Sequence, residues 1–369
     1  FSSHDMSSYD VSIRCGAHGG PENVELKCTR RSVGNVNFSV GVTGVSVEVY
    51  YDDSPFPRLK AVIARMQKES DEWMSVVRLK LVLKPDNMPT KKRDCNVAVY
   101  DDDIEKVCRA LRMLMPQLRE LEFGGRSKNI LAGPLFGRLA AVYADQLQVL
   151  NSTLPVLPPS DCRFAKLTDV MLSKGSYRGY QLPRMDPTTI ETLMLDGFHA
   201  EHSWLAFANS DDDTEIEFPS LRRLAVSYLP PLEGDIIGQQ LTLRFPELEE
   251  LDAMCLDESF PLLDVDQLLG IIRENPLLTD LTIYQLTLDN IHADIEIPSC
   301  SRGEHLPLPP LDSKIRNLTI RLANRDAQEE FIPVAKYLML RLPRLQCISS
   351  KDLHVDTVQA VICKYQKWY

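Results

Sequence analysis

The segment Leu118-Arg119-Glu120-Leu121-Glu122-Phe123 decides the fold, because its apolar residues stand at the first, fourth and sixth positions. Side chains alternate along a β-strand, so this spacing places Leu121 and Phe123 on one face of a short strand. An earlier copy of the pattern fits at Val76. Later copies begin at Leu147, Leu167, Ile190, Leu221, Leu248, Leu278, Ile315 and Leu345. The chain therefore consists largely of repeated units.

The distances between successive copies from Leu118 to Leu345 range from 20 to 37 residues and average about 28, a period typical of leucine-rich repeats. Five copies have a proline two residues before their first apolar residue. These prolines are Pro116, Pro219, Pro246, Pro276 and Pro343. Proline cannot continue a helix, so each one should end the preceding segment and lead the chain into a strand.

The segments between the predicted strands have helical periodicity. Apolar residues recur three and four positions apart in Ile104–Leu114 and Val265–Ile272, and further helices are predicted over Leu59–Trp73, Asn129–Asp145 and Asp326–Arg341. A single strand–helix unit cannot bury its own apolar face, whereas stacked units share one core. The predicted fold is therefore an α/β leucine-rich-repeat solenoid, with a curved row of parallel strands and helices on the convex side.

Three regions are predicted along the chain. Residues 1–57 form an N-terminal β-rich cap or the remnant of an upstream region, with strands near Val24–Lys27 and Val36–Tyr51. Residues 58–354 form the irregular leucine-rich repeats, and residues 355–369 form a C-terminal capping helix. The pattern shows no boundary between two separate cores.

Charge and cysteine content restrict the classes of partner. The chain has 41 Lys and Arg against 52 Asp and Glu, a net charge of −11, with no basic stripe, so nucleic acid is not an expected partner. No apolar run reaches the roughly 18 residues of a membrane-spanning helix. The nine cysteines are an odd number, widely spaced and without a C-x-x-C pair. This pattern favours reduced thiols in a cytoplasmic or nuclear protein.

No catalytic motif is evident in the sequence. It contains neither G-x-S-x-G nor a phosphate-binding glycine loop, so no enzymatic activity, catalytic residue or cofactor is predicted. His199 and His202 stand three residues apart, but a metal site needs three or four converging ligands, which favours a polar loop. The acidic triplets 101–103 and 211–213 are interpreted as solvated loop charges.

The variable residues that alternate with the core leucines should line the concave face of the strands. Acidic side chains predominate there, together with methionines and a tyrosine. The predicted partner-binding residues are Glu120, Glu122, Asp169, Met171, Met194, Asp196, Glu250, Asp252, Met254, Asp280 and Tyr284. Adaptable apolar groups within an acidic surface suit a basic protein or peptide. The alternative, that these are simply exposed strand residues, remains open.

The repeated strands with their proline exits resemble the ribonuclease-inhibitor-like leucine-rich-repeat fold over roughly Val76–Ile348. The repeat units are irregular in length, as in the leucine-rich regions of fungal F-box proteins. The segments Phe136–Leu147 and Phe218–Leu224 are similar to segments of those regions. In that family the repeats carry the substrate, and a separate N-terminal F-box docks the ubiquitin-ligase core. The resemblance implies a non-catalytic substrate receptor and scaffold whose partner is a protein.

Phe1–Pro57 lacks the F-box pattern, so a ligase adaptor would dock through a region upstream of Phe1 or the chain would have no such module. Two other classes stay open. A GTPase-activating or other regulatory solenoid would need an Arg or Asn aimed at the partner's nucleotide. An extracellular recognition domain would need paired cysteines.

Overall fold

The structure is a computed structural model. It describes residues 9–15, 24–30, 42–51, 54–68, 73–85, 100–125, 132–153, 162–172, 184–195, 217–226, 237–253, 263–286, 310–322 and 328–350. Of these, the residues up to Thr189 belong to one compact unit and those from Ile190 onward to a second. The division falls inside the predicted repeat region, where the sequence pattern continues without interruption.

The first unit contains nine strands and three helices among its described residues. They are β1 (Tyr9–Cys15), β2 (Val24–Arg30), β3 (Val42–Tyr51), α1 (Phe56–Gln67), β4 (Arg78–Pro85), α2 (Asp101–Leu114), β5 (Glu120–Gly125), α3 (Ala132–Val142), β6 (Val149–Ser152), β7 (Arg163–Phe164), β8 (Asp169–Leu172) and β9 (Arg184–Met185). Its sheet has the order β8-β6-β5-β4-β3-β1-β2, and β7 pairs with β9 separately. All neighbours are parallel except β1 and β2, which are antiparallel.

The N-terminal region continues the sheet of the repeats. β3 is parallel to β4 and in register with it from the pair Gly44–Arg78 to the pair Tyr51–Pro85. The sequence predicted strands at β2 and β3 but missed β1, which lies between them and forms the antiparallel pair with β2. The β-rich region before residue 57 is therefore joined to the first repeat strand by hydrogen bonds.

The second unit contains six strands and three helices among its described residues. Its elements are β10 (Thr192–Leu195), β11 (Arg223–Val226), α4 (Ile237–Arg244), β12 (Glu250–Ala253), α5 (Val265–Glu274), β13 (Asp280–Leu286), β14 (Asn317–Leu322), α6 (Gln328–Arg341) and β15 (Cys347–Ser350). The six strands are all parallel and pair in sequence order. The predicted α/β class with a row of parallel strands is thus confirmed.

Five helices lie where periodicity predicted them, namely α1, α2, α3, α5 and α6. The predicted helix over Leu59–Trp73 is shorter, because α1 ends at Gln67. α4 was not predicted. The two shortest intervals in the repeat pattern, those that begin at Leu147 and Leu167, contain the two-residue strands β7 and β9. The predicted capping helix at 355–369 lies outside the described residues.

The prolines form one recurring joint between helix and strand. After α2, the Leu118 N–H donates to the Met115 carbonyl and closes a turn with Pro116 at its second position, where the fixed φ of proline fits. The same hydrogen bond joins the corresponding residues at four other prolines. These pairs are Leu221–Phe218, Leu248–Phe245, Leu278–Asn275 and Leu345–Leu342. The prediction that proline ends the helix and leads into the strand is confirmed at α2, α4, α5 and α6.

Alternation along the strands separates a core face from a polar face. On β5, Leu121 and Phe123 are fully buried, and the Phe123 ring lies 5.2 Å from that of Phe136 on α3, so the core face is the one that packs against the helices. Glu120 and Glu122 point the other way and are half-buried. We call the side of each sheet opposite the helices its polar face.

Candidate binding surface

The strand register arranges the side chains of the polar face in rows that run across the strands. In the first unit, one row crosses β4 to β8 and the next lies two residues further along each strand. The first row is Arg78, Glu120, Val149 and Asp169. The second row is Lys80, Glu122, Asn151 and Met171. Four of the predicted partner-binding residues therefore lie together here.

Two of these carboxylates are already paired with cations from the neighbouring strand. The Nε of Arg78 lies 2.6 Å from Oε2 of Glu120. Directly beside this pair, Lys80 donates to Glu122. Opposite charges that face each other across two strands stabilise a sheet modestly. The carboxylates of Glu120 and Glu122 thus contribute to the pairing of β5 with β4.

A third ion-paired carboxylate lies on β3, near the far end of the same face. Glu48 contacts the Nε of Arg14 at 3.2 Å and the Nζ of Lys84 at 3.1 Å. Lys84 also donates to the hydroxyl oxygen of Tyr50 at 3.2 Å and lies 5.1 Å from the centre of its ring. Although partial burial opposes the change, the hydrogen bond and charge of Lys84, with the charge of Arg14, lower the pKa of Glu48.

The first unit's polar face is electrically balanced among its described side chains. Asp169 accepts a 2.7 Å hydrogen bond from the Thr168 hydroxyl. The described charged side chains of the face are four cations and four carboxylates. The cations are Arg14, Arg78, Lys80 and Lys84, and the carboxylates are Glu48, Glu120, Glu122 and Asp169. The two rows that hold the predicted residues contain two cations and three carboxylates, and the Glu48 cluster, with two cations and one carboxylate, brings the described side chains of the face to zero net charge.

The second unit continues the same arrangement with different side chains. Its first row is Thr192, Arg223, Glu250, Asp280, Asn317 and Cys347. Its second row is Met194, Ala225, Asp252, Thr282, Thr319 and Ser349. Four further predicted residues, Met194, Glu250, Asp252 and Asp280, therefore share this face.

The contacts within these rows involve few charges of opposite sign. The Nε of Arg223 lies 3.1 Å from Oε1 of Glu250. Asp280 accepts from two neutral groups, the Thr279 hydroxyl at 2.6 Å and the side-chain amide of Asn317. Among the described side chains of the two rows, one cation faces three carboxylates. These two rows therefore hold one cation fewer than the corresponding two rows of the first unit, with the same number of carboxylates.

Three of the predicted residues cannot be placed. Asp196 and Met254 lie outside the described residues, as does the side chain of Tyr284 on β13. The sequence also missed Glu48 and Lys84, whose cluster involves the region assigned to a cap. Their alternation with Val47, Val49 and Leu83 was visible, but only the β3–β4 register shows that they meet.

Other chemistry is not evident in the part of the chain that the structure describes. It holds no group of three or more His, Cys, Asp or Glu side chains that could bind a metal ion. His199 and His202 lie outside it. Burial raises the pKa of the Cys108 thiol to about 12, so this residue is a poor nucleophile. The helices within the described ranges include none that is long and apolar enough to cross a membrane.

A scan against protein-family models, a search of curated proteins and a search of solved structures each found no match. No relative therefore assigns a role to any residue of the two polar faces.

Proposed function

We propose that this chain is a leucine-rich-repeat protein that binds a protein partner on the polar faces of its sheets and catalyses no reaction itself. The leucine-rich-repeat assignment is supported by the repeat period, the recurring proline turn and one parallel strand per repeat. A second recurring bond supports it as well. At eight repeat strands the carbonyl that precedes the strand accepts two successive N–H groups from the next repeat, as Arg222 accepts from Glu249 and Glu250.

One observation carries the binding proposal: the core face is uniform from strand to strand, whereas the polar face is not. In the second unit the column Leu193, Leu224, Leu251, Leu281, Leu318 and Ile348 is buried and apolar on every strand, and five of its six members are leucine. The neighbouring polar row contains Thr, Arg, Glu, Asp, Asn and Cys in succession. Folding requires the first pattern but not the second, so the varied row is the surface available for recognition.

The cellular role that we propose is substrate receptor of an F-box-type ubiquitin ligase, and its support is the resemblance to fungal F-box proteins. The two phrases that carry the resemblance contribute buried side chains. Phe136 packs on Phe123, and the Phe218 ring lies 5.5 Å from that of Phe245. Both contacts belong to the core, so they support the assignment of the fold more than the assignment of the ligase role.

The test is affinity purification of the full-length gene product from its native host, followed by mass spectrometry. Recovery of a cullin scaffold and its adaptor would support the ligase role. Recovery of a small GTPase would contradict the ligase role and support a regulatory role instead. The charge-reversal variant Glu250→Lys with Asp252→Lys should lose a co-purifying protein that the wild type retains.

A matched control keeps the same change of charge but moves it off the polar face. Asp266 on α5 and Asp312 before β14 are exposed, so Asp266→Lys with Asp312→Lys should retain the co-purifying protein. Loss from both variants, or from neither, would rule out binding through the polar face.

A further inference from the structure

We infer that one corner of the first unit's polar face binds an acidic segment of a partner protein. This corner, which we call the Glu48 corner, consists of Arg14, Glu48, Tyr50, Val82 and Lys84, and it lies outside the strip that the sequence predicted to be acidic. The inference rests on the proposed function only in taking the polar face as a binding surface. It adds a location and the chemistry of the segment that binds there.

The Glu48 corner holds two cations and one carboxylate. Arg14 contacts Oε2 of Glu48 through Nε at 3.2 Å, and the Nζ of Lys84 lies 3.1 Å from Oε1. One negative charge is thus shared by two positive ones. The neighbouring pair of Lys80 and Glu122 has one charge of each sign. Among the described side chains, net positive charge is therefore concentrated at this corner of a face that is neutral as a whole.

The two cations are more accessible than the carboxylate that they share. The side chain of Glu48 is 20% exposed, whereas those of Arg14 and Lys84 are 46% and 38% exposed. The Tyr50 hydroxyl donates to Oε2 of Glu48 at 3.3 Å, so both carboxylate oxygens already interact with neighbours. A group that approaches from solvent therefore meets the cations first.

Both cations retain donors for a second carboxylate. An ammonium group has three N–H bonds, and Lys84 directs two of them to Glu48 and to the Tyr50 hydroxyl oxygen. Arg14 contacts Glu48 through Nε, which leaves the outer edge of its guanidinium for an incoming group. A carboxylate that bound both cations would balance the charge of the corner without displacing Glu48. Such charge-assisted hydrogen bonds are stronger than neutral ones.

Charges outside the corner leave this local surplus in place. On β2, the register positions beside Ser12 and Arg14 hold Lys27 and Glu25, which have opposite charges. The whole chain carries a net charge of −11, but physiological salt screens exposed charges beyond about 8 Å. The groups in contact with a bound segment therefore determine its affinity.

The strand register favours an extended segment with a particular spacing. Val82 lies beside Glu48 and two residues before Lys84, and all three side chains are half-buried. Side chains two residues apart in an extended chain point the same way, about 7 Å from each other, which matches the spacing of Val82 and Lys84. The segment that fits therefore has an acidic and an apolar residue separated by one other residue.

The test uses the full chain and three fluorescent peptides, with binding followed by fluorescence anisotropy at physiological salt. The peptides are the acidic Glu-Ser-Leu-Ser-Glu, the neutral Gln-Ser-Leu-Ser-Gln and the basic Lys-Ser-Leu-Ser-Lys. Each reads the same in both directions, so the direction of the bound chain need not be known. The wild type should bind the acidic peptide most tightly. Equal or tighter binding of the neutral or basic peptide would overturn the inference.

Two variants should change the affinity for the acidic peptide in opposite directions. Arg14→Gln with Lys84→Gln should raise the Kd by about fivefold or more, because both cationic donors are lost. Glu48→Gln should lower the Kd by about twofold or more, because the competing carboxylate is removed. Loss of structure at the corner would raise the Kd instead. An unchanged Kd for either variant, or a raised Kd for Glu48→Gln, would contradict the inference.

A control removes two cations elsewhere in the same unit. Arg163 on β7 and Lys166 after it are exposed and lie outside the sheet that carries the polar face, so Arg163→Gln with Lys166→Gln should leave the Kd unchanged. An effect as large as that of the corner variant would mean that net charge determines binding, and the inference would be wrong. Such a failure is distinct from failure of the proposed function, which the purification experiment tests with variants of the second unit.

Discussion

The two units repeat the same backbone plan, and their polar faces differ in how many carboxylates face a cation on the neighbouring strand. In the first, cross-strand partners such as Arg78 and Glu120 neutralise each other on the polar face. In the second, Arg223 pairs with Glu250 in the same way, whereas Asp280 accepts from neutral groups, as Asp169 does in the first unit. The carboxylate residues alone would suggest one continuous acidic strip. Their neighbours in the strand register, rather than their number, determine which carboxylates are available.

The second unit also has specific polar contacts on the helix side of its sheet. Asp264 and Gln267 form a reciprocal capping box at the start of α5. At its end, Asn275 replaces the apolar residue found before the other prolines, and its amide donates to the Ile271 carbonyl at 2.8 Å.

Substitutions in the core test whether the units differ only on their polar faces. These substitutions should have the largest effect on the free energy of unfolding. Phe123→Ala in the first unit and Leu281→Ala in the second each delete a buried side chain. Each should lower the free energy of unfolding by about 3–4 kcal/mol, measured by urea denaturation. The conservative Phe123→Leu should cost less than Phe123→Ala. A cost below about 1 kcal/mol in one unit alone would show that its core is packed differently.

Removal of the Asn275 side chain at the end of α5 should have the next largest effect on the free energy of unfolding. Asn275 is 5% exposed, and its side-chain oxygen also accepts from the Thr242 hydroxyl at 3.1 Å. Asn275→Ala removes two side-chain hydrogen bonds but leaves the Ile271 carbonyl with the Asn275 backbone N–H and the Thr242 hydroxyl with the Glu274 carbonyl, so it should cost about 1–1.5 kcal/mol. A double-mutant cycle with Thr242→Val should reveal coupling between the two residues. Strictly additive effects would show that the hydroxyl and the amide act independently.

The ion cluster around Glu48 should contribute about 0.5–1 kcal/mol to stability at pH 7. Because its pKa is lowered on folding, Glu48 stabilises the fold above its unfolded pKa, and the contribution disappears as pH falls through the folded pKa. Glu48→Gln should therefore destabilise the protein at pH 7, and its difference from the wild type should vanish in acid. Urea denaturation at several pH values, followed by fluorescence including that of buried Trp73, measures this. A pH-independent difference would mean that charge is not the cause.

The sequence predicted the features that depend on local chemistry. The apolar spacing located the repeat strands, and Pro116 and its equivalents located the turns, because the shape of proline acts wherever it occurs. Five helices followed from their periodicity. α4 escaped prediction because Gly238 and Thr242 are weak helix formers, and it packs against α5, a contact that no local pattern reveals.

The features that depend on register were beyond the sequence. Arg78 and Glu120 are separated by 41 intervening residues but stand side by side, because β4 and β5 are adjacent and aligned. The sequence predicted that Glu120 faces away from the core, which the structure places correctly, but not that a cation already occupies it. A one-residue shift between the strands would have separated the pair. Charge balance on the sheet is therefore a tertiary property.

The smallest expected effect concerns the one ion pair that both units share. Arg223 and Glu250 in the second unit occupy the same register position as Arg78 and Glu120 in the first, with distances of 3.1 and 2.6 Å. All four side chains are at least one-third exposed, so solvent screens both pairs, and each coupling energy should lie below about 0.5 kcal/mol. Double-mutant cycles to alanine in both units, at low and high salt, measure these energies. Small couplings in both would mean that the pairs matter for the charge available to a partner and not for stability. A first-unit coupling well above 1 kcal/mol would instead make its paired face a stabilising element in its own right, and the contrast between the units would then be one of stability as well as of recognition.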